Sequence, residues 1–256
     1  MKILSSLVAI LVVLTACVSA REIPFNLEQN TIFVQVLSAR GAHPLRFVLD
    51  TGAETTVLDK RSARAVADDF GWFCWMNTEC GGMRARGIVD TADLSDASNN
   101  NRHWIFGLLG ADFLRNSVVT LDCRHQRLCV EPAAPHWFSR GDGFIHTPVV
   151  LPDGRTLDFI VDTGSTETFI SKDAAQSLGL RKVGSCETSV VGGKTDSWEC
   201  EGFAGRVNGR RIDGKVTALD LGVMGLGSVD GLLGMDFLAA HCTRLDFARH
   251  TLTVLD

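Results

Sequence analysis

Asp50 and Asp162 each sit in the string Asp-Thr-Gly, and the settings of the two strings match. Residues 47–56 read FVLDTGAETT and residues 159–168 read FIVDTGSTET. A second string follows each: GLLGADFL at 107–114 and GLLGMDFL at 231–238, identical at seven of eight positions. Leu121-Asp122 and Leu245-Asp246 lie at the same offset beyond them. Such a repeat implies two similar lobes, each bringing one carboxylate. Two carboxyls within hydrogen-bonding distance cannot both ionise cheaply, because like charges at about 3 Å repel. They share one proton. One is then a base that draws a proton from water, and the other an acid that donates to a carbonyl oxygen. That is sufficient chemistry to hydrolyse an amide without a serine, cysteine or metal.

The surrounding residues predict how the aspartates are delivered. Residues 31–37 (TIFVQVL) alternate and are rich in β-formers, 40–44 form a turn, and 45–49 return as the strand ending at Asp50. In the second half, 144–151 is a strand, 152–155 a turn, and 157–161 the return strand ending at Asp162. A short helix follows each motif: 60–67 with Asp59 as cap, and 172–178 with Ser171 as cap and Gly179 as stop. Residues 90–102 are polar and read as an exposed loop. Gly52 and Gly164 let each backbone turn sharply and come close to its partner. Asp112 and Asp236 read as helix N-caps. Trp72, Trp75 and Trp198 read as packing residues, and most of the seven histidines as surface or turn residues.

The hydrophobic strand running into Asp-Thr-Gly-Ala or Asp-Thr-Gly-Ser, with a later Leu-Leu-Gly, resembles the aspartic peptidases of the retropepsin-like and pepsin-like superfamily. The resemblance runs from about Glu22 onward, and the length per lobe is similar to that of the retropepsin-like unit. Most retropepsins are homodimers of one lobe; here two lobes look fused, as in a tandem two-lobe bacterial aspartyl protease. The resemblance implies a mostly β fold: two retropepsin-like β lobes related by a pseudo-two-fold axis, with the active site between them. It makes Asp50 and Asp162 catalytic. It also implies that the hydroxyls of Thr51 and Thr163 brace one loop against the other. Ala53 and Ser165 match the family pattern, in which a serine bonds the outer oxygen of its aspartate. Leu108-Leu109-Gly110 and Leu232-Leu233-Gly234 correspond to the strand beside the catalytic loop. Pepsin-like enzymes carry a flap tyrosine, and this chain has no tyrosine at all. A glycine-rich flap tip of retropepsin type is expected instead, at Gly81-Gly82 in the first lobe and Gly192-Gly193 in the second, with the two flaps unequal. The activity implied is an exported aspartic endopeptidase acting on protein or peptide substrates as a monomer. The alternative is a catalytically silent retropepsin-like lipoprotein that binds a protein partner.

The 256 residues carry a formal charge of -5 and no basic run, which argues against nucleic acid as a partner. A hydrophobic content of 45% is ample for packed cores. The expected organisation is a signal segment at 1–20, a first lobe at 22–132, a linker at 133–143 and a second lobe at 144–256. Lys2 followed by an apolar run over 3–16 is too short for a membrane span and reads as a signal peptide. Leu14-Thr15-Ala16-Cys17 fits a lipobox with lipidation at Cys17; Val18-Ser19-Ala20 fits cleavage before Arg21 instead. Both imply export to the periplasm, and the lipobox adds a membrane anchor.

Export permits disulfides. Spacing suggests three local pairs: Cys186–Cys200 about Gly193, Cys123–Cys129 about Gln126, and Cys74–Cys80 flanking residues 76–78. Cys242 is left over as a small buried side chain. The absence of a Cys-x-x-Cys pair or a His-Glu-x-x-His string argues against a zinc site, and no cofactor is expected.

Overall fold

A computed structural model describes residues 20–40, 43–70, 74–134, 143–191 and 193–256. The fold is mostly β. The first half runs β1 (Arg21–Ile23), β2 (Phe25–Glu28), β3 (Thr31–Ser38), β4 (Leu45–Leu49), β5 (Val57–Asp59), α1 (Ala63–Val66), β6 (Asp69–Phe70), β7 (Cys74–Cys80), β8 (Met83–Ala92), α2 (Ser95–Asn100), β9 (Gly107–Leu109), α3 (Ala111–Leu114), β10 (Ser117–Asp122) and β11 (Arg127–Pro132). The second runs β12 (His146–Val150), β13 (Thr156–Val161), β14 (Phe169–Ser171), α4 (Lys172–Ser177), β15 (Arg181–Val190), β16 (Gly193–Val207), β17 (Arg210–Leu219), a 3-10 turn (Leu221–Met224), β18 (Gly231–Leu233), α5 (Met235–Leu238), β19 (Cys242–Asp246) and β20 (Thr251–Val254).

Each lobe is one sheet. The first is ordered β2-β3-β4-β9-β5-β8-β7-β6 and the second β12-β13-β18-β14-β17-β16-β15. A third sheet, β1-β11-β10-β19-β20, takes strands from both halves, and the antiparallel pairing of β10 with β19 joins the lobes.

The strand that ends at each aspartate lies parallel to a Gly-Leu-Leu strand. Phe47, Val48 and Leu49 face Gly107, Leu108 and Leu109, while Phe159, Ile160 and Val161 face Gly231, Leu232 and Leu233. The repeated glycine has a steric cause. A β-carbon on Gly107 would lie 2.4 Å from the Phe47 ring, and one on Gly231 would lie 2.4 Å from the Phe159 ring. Both rings are fully buried, and burying one contributes roughly 1.5–3 kcal/mol.

Several expectations are corrected. The helix after the first motif covers only Ala63–Val66, and Asp59 is not its cap. Asp59 is instead a fully buried carboxylate that accepts from Arg61 and from the backbone N–H of Leu94. Ser171 does cap α4, accepting from the Ala174 N–H, and Gly179 follows at φ +63. Residues 90–102 are not all loop, since they finish β8 and form α2.

All three expected disulfides are contradicted, and every described cysteine is free. In the flap hairpin Cys186 faces Ser197 and Cys200 faces Lys182. Ser197 and Cys200 are three residues apart on one strand, so Cys186 and Cys200 point to opposite faces; Cys186 is exposed and Cys200 buried. Cys129 faces Thr120, because the hairpin turns earlier than symmetry about Gln126 requires. Cys74 and Cys80 are the two ends of the single strand β7. That span is about 20 Å at 3.3 Å per residue, far beyond disulfide reach. Cys242 is half-buried opposite Asp122. Cys17 and the whole 1–19 segment lie outside the described residues, as do Trp72, His136 and Gly192.

Candidate active site

Each aspartate leaves its strand held by one backbone bond. The Asp50 N–H donates to Leu109 O and the Asp162 N–H to Leu233 O, both at 3.0 Å. The two loops then lock through their threonines. Thr51 Oγ1 donates to Val161 O at 2.7 Å and accepts from the Thr163 N–H at 3.1 Å. Thr163 Oγ1 donates to Leu49 O at 2.7 Å and accepts from the Thr51 N–H at 3.1 Å. Both side chains are about 1% exposed. Four buried backbone groups thus depend on two hydroxyls from the opposite loop.

The buried carboxyls of Asp50 and Asp162 lie close enough for each to affect the other's proton. Each also accepts from its own loop: Gly52 N–H reaches Asp50 Oδ1 at 3.0 Å, and Gly164 N–H reaches Asp162 Oδ1 at 2.8 Å. Neither glycine has a positive φ, so their role here is space. A β-carbon on Gly52 would stand 2.4 Å from Asp162 Cγ, and one on Gly164 would stand 2.4 Å from Asp50 Cγ. Only glycine lets each loop lie against the other lobe's carboxylate.

Burial raises the Asp50 pKa well above the usual range, and the neighbouring Asp162 charge raises it further. Burial also raises Asp162, opposed by hydrogen bonds from the Gly164 N–H and from Asp50. Burial thus favours a protonated carboxyl at both positions, and the pair holds its proton in common. The proton belongs to the pair, and the two carboxyls titrate together.

A supporting layer went unread in the sequence. Thr56 Oγ1 accepts from the Gly110 N–H at 3.2 Å and donates to Asp112 at 2.8 Å. Thr168 Oγ1 does the same with Gly234 at 3.2 Å and Asp236 at 2.7 Å. Asp112 and Asp236 are thus not N-caps; glycines hold those positions, and the aspartates lie in the first turn. The signal was available, because a threonine six residues after each aspartate and a Gly-x-Asp recur in both halves. Ser165 departs from the family pattern: its hydroxyl donates to Glu167 O at 2.8 Å, and only its backbone N–H reaches Asp162. Ala53 likewise serves Asp50 through its N–H.

A cleft of about 560 Å³ opens above the pair. Its roof is the β15–β16 hairpin, whose residues 187–191 and Lys194 line it. Gly193 stands at the tip of this hairpin, at φ +155. Among the described residues the first lobe has no matching arm, and β6 is two residues long. Gly81 and Gly82 are not a flap tip. They turn β7 into β8, as Asn208-Gly209 turn β16 into β17, and lie away from the cleft. Gly81 packs on Ile23, and Gly82 O accepts from Arg21. In place of a second flap, α2 walls the cleft, and Asn100 Nδ2 donates to Ser189 Oγ of the flap at 3.2 Å.

Trp75 is partly exposed, and the Trp198 ring has the Lys172 ammonium at 5.0 Å and the Lys182 ammonium at 4.5 Å from its centroid. His250 is buried in a turn, its Nδ1–H donating to Phe144 O at 2.6 Å. Among the described residues no group of three His, Cys, Asp or Glu side chains is arranged to hold a metal ion.

Residues 147–237 match the family model described as aspartyl protease. The matched segment contains Asp162 and the flap, and it supports a peptidase of the retropepsin-like aspartyl class at family level. Comparison with curated proteins found no match.

Proposed function

We propose that the protein is an exported aspartic endopeptidase that hydrolyses peptide bonds by activating water between Asp50 and Asp162. The observation that carries this reading is the buried carboxyl pair, each member held by its own loop and packed against the glycine of the other. In the forward step Asp162 takes a proton from water, the oxygen attacks the scissile carbonyl carbon, and Asp50 gives its proton to the carbonyl oxygen. In the second step Asp162 returns its proton to the leaving nitrogen. Asp50 recovers one from the diol, and the C–N bond breaks. This division of labour follows the behaviour known for paired aspartates in aspartic proteases. The lobes are read as a fused pair related by a pseudo-two-fold axis, which the reciprocal threonine bonds support. The chain then works as a monomer.

Export, periplasmic location and lipidation at Cys17 form part of the same proposal, on the apolar run over 3–16 and the string Leu14-Thr15-Ala16-Cys17. Two acyl chains give stable anchoring. A Cys17→Ser copy that fractionates as soluble while the wild type stays with membranes supports the anchor; two soluble proteins beginning at Arg21 argue for cleavage after Ala20. The activity itself is tested by profiling exported proteins from cells carrying the wild type or an Asp50→Asn copy. New N-termini that depend on Asp50 support the reading, and identical profiles contradict it.

A further inference from the structure

The cleft walls carry an unbalanced negative charge. Helix α2 turns Asp96, Ala97 and Asn100 towards the cleft, with Asp93 just before it, a spacing of i, i+3, i+4 and i+7 that defines one helix face. Asp93 is fixed by the backbone N–H and hydroxyl of Ser95, and those bonds lower its pKa and keep it ionised in mild acid. Arg61 and Lys60 lie near Asp93, although Arg61 is bound to Asp59. Asp96 has neither an ion pair nor a hydrogen bond among the described residues. Across the cleft, Glu167 meets only the Thr217 hydroxyl, at 3.0 Å, among the described residues. Lys194 is the one cation lining the cleft among the described residues, and its charge is met by Glu187 at 3.6 Å.

The floor between these walls is apolar, with Leu108 and Ile105 from the first lobe and Leu232 and Phe169 from the second. A low-dielectric floor focuses the field of uncompensated carboxylates. A cation on the substrate gains a partner at Asp96; an anion there meets only like charge.

We propose that the cleft selects peptides carrying a lysine or arginine near the scissile bond, with Asp96 as the specificity-determining residue. This rests on the peptidase reading and adds the substrate class. Asp96 touches the substrate side chain and takes no part in the proton transfers.

The test uses the purified protein and a series of fluorogenic peptides. At each of four positions on either side of the scissile bond, lysine is compared with its neutral isostere norleucine and with glutamate. The wild type is expected to cut the lysine peptide about fivefold faster in kcat/KM than the norleucine peptide at one or two positions, mainly through KM. Glutamate there is cut more slowly than norleucine. Asp96→Asn brings the lysine-to-norleucine ratio to about one, and Asp96→Lys inverts the preference towards glutamate. Equal wild-type rates at every position, or a ratio unchanged by Asp96→Asn, overturn the proposal while leaving an Asp50-dependent peptidase intact. If no peptide is cut faster by the wild type than by Asp50→Asn, the peptidase reading falls and the specificity falls with it.

Discussion

The α-carbon of Gly52 packs directly against the carboxylate of Asp162, and a β-carbon at that position would stand 2.4 Å from Asp162 Cγ. Gly52→Ala should therefore displace the partner carboxylate from the opposite lobe. A displacement near 1 Å in a reacting group costs about 100-fold in rate. Gly87→Ala is the control, since its β-carbon would meet nothing within 4 Å. Peptidase assays and circular dichroism on both variants check the claim. Equal activity in the two would refute the close-approach account.

The threonine exchange predicts a stability loss. Thr51→Val removes a hydroxyl that serves Val161 O and the Thr163 N–H, both buried against the other loop. Leaving both unsatisfied should cost about 2–4 kcal/mol in urea unfolding. Thr51→Ser should recover most of that. A valine variant as stable as the serine variant would show that the hydroxyl does not join the lobes.

The proton-sharing pair has a pH signature. Because the Asp50 pKa is raised, the folded state holds this proton more tightly than the unfolded chain does. Stability from that proton is fully present below the unfolded value near 4 and is lost as pH rises through the folded value. Asp50→Asn, which needs no proton, should therefore raise Tm at pH 7 relative to the wild type, and the gain should disappear near pH 4. A Tm difference independent of pH would contradict the shared proton. By the same sign, kcat/KM should fall on the alkaline side only above the ordinary carboxyl range.

The flap predicts a binding effect. Asn100→Ala removes the contact to Ser189 that ties the single long flap to the first lobe. The bond is exposed, so a KM rise of about two- to fivefold is expected with kcat little changed. An unchanged KM would mean that α2 does not help to hold the flap.

The strand registers forbid two of the cysteine pairs read from spacing. Peptide mapping of the non-reduced protein should find neither Cys186–Cys200 nor Cys74–Cys80. Detection of either bond would show that the register is wrong.

The two strand–Asp-Thr-Gly units were legible because sterics write them into the sequence: each glycine answers a named close contact, and each recurs. The mostly β class followed from the alternating strands around them. The flap of the first lobe was misread because Gly81-Gly82 looks the same in sequence whether a hairpin covers the cleft or points away; the packing of the turn on Arg21 and Ile23 distinguishes these. The disulfides failed for a related reason. Symmetry about a central residue assumes where a hairpin turns, and a shift of one residue moves a side chain to the other face. Helix α2 was hidden by its composition, since SDASNN has weak helix formers. It is held instead by Asp59 bonding Leu94 at its start.

The central claim, that Asp50 and Asp162 act as one unit, is tested most directly by steady-state hydrolysis of an unfolded protein substrate. The wild type is compared with Asp50→Asn, Asp162→Asn and the double variant, each shown to be folded. Residues that act together are not additive. Each single variant should lose activity by on the order of a thousandfold, and the double variant should be no worse than either. Wild-type rates in either single variant would contradict the account.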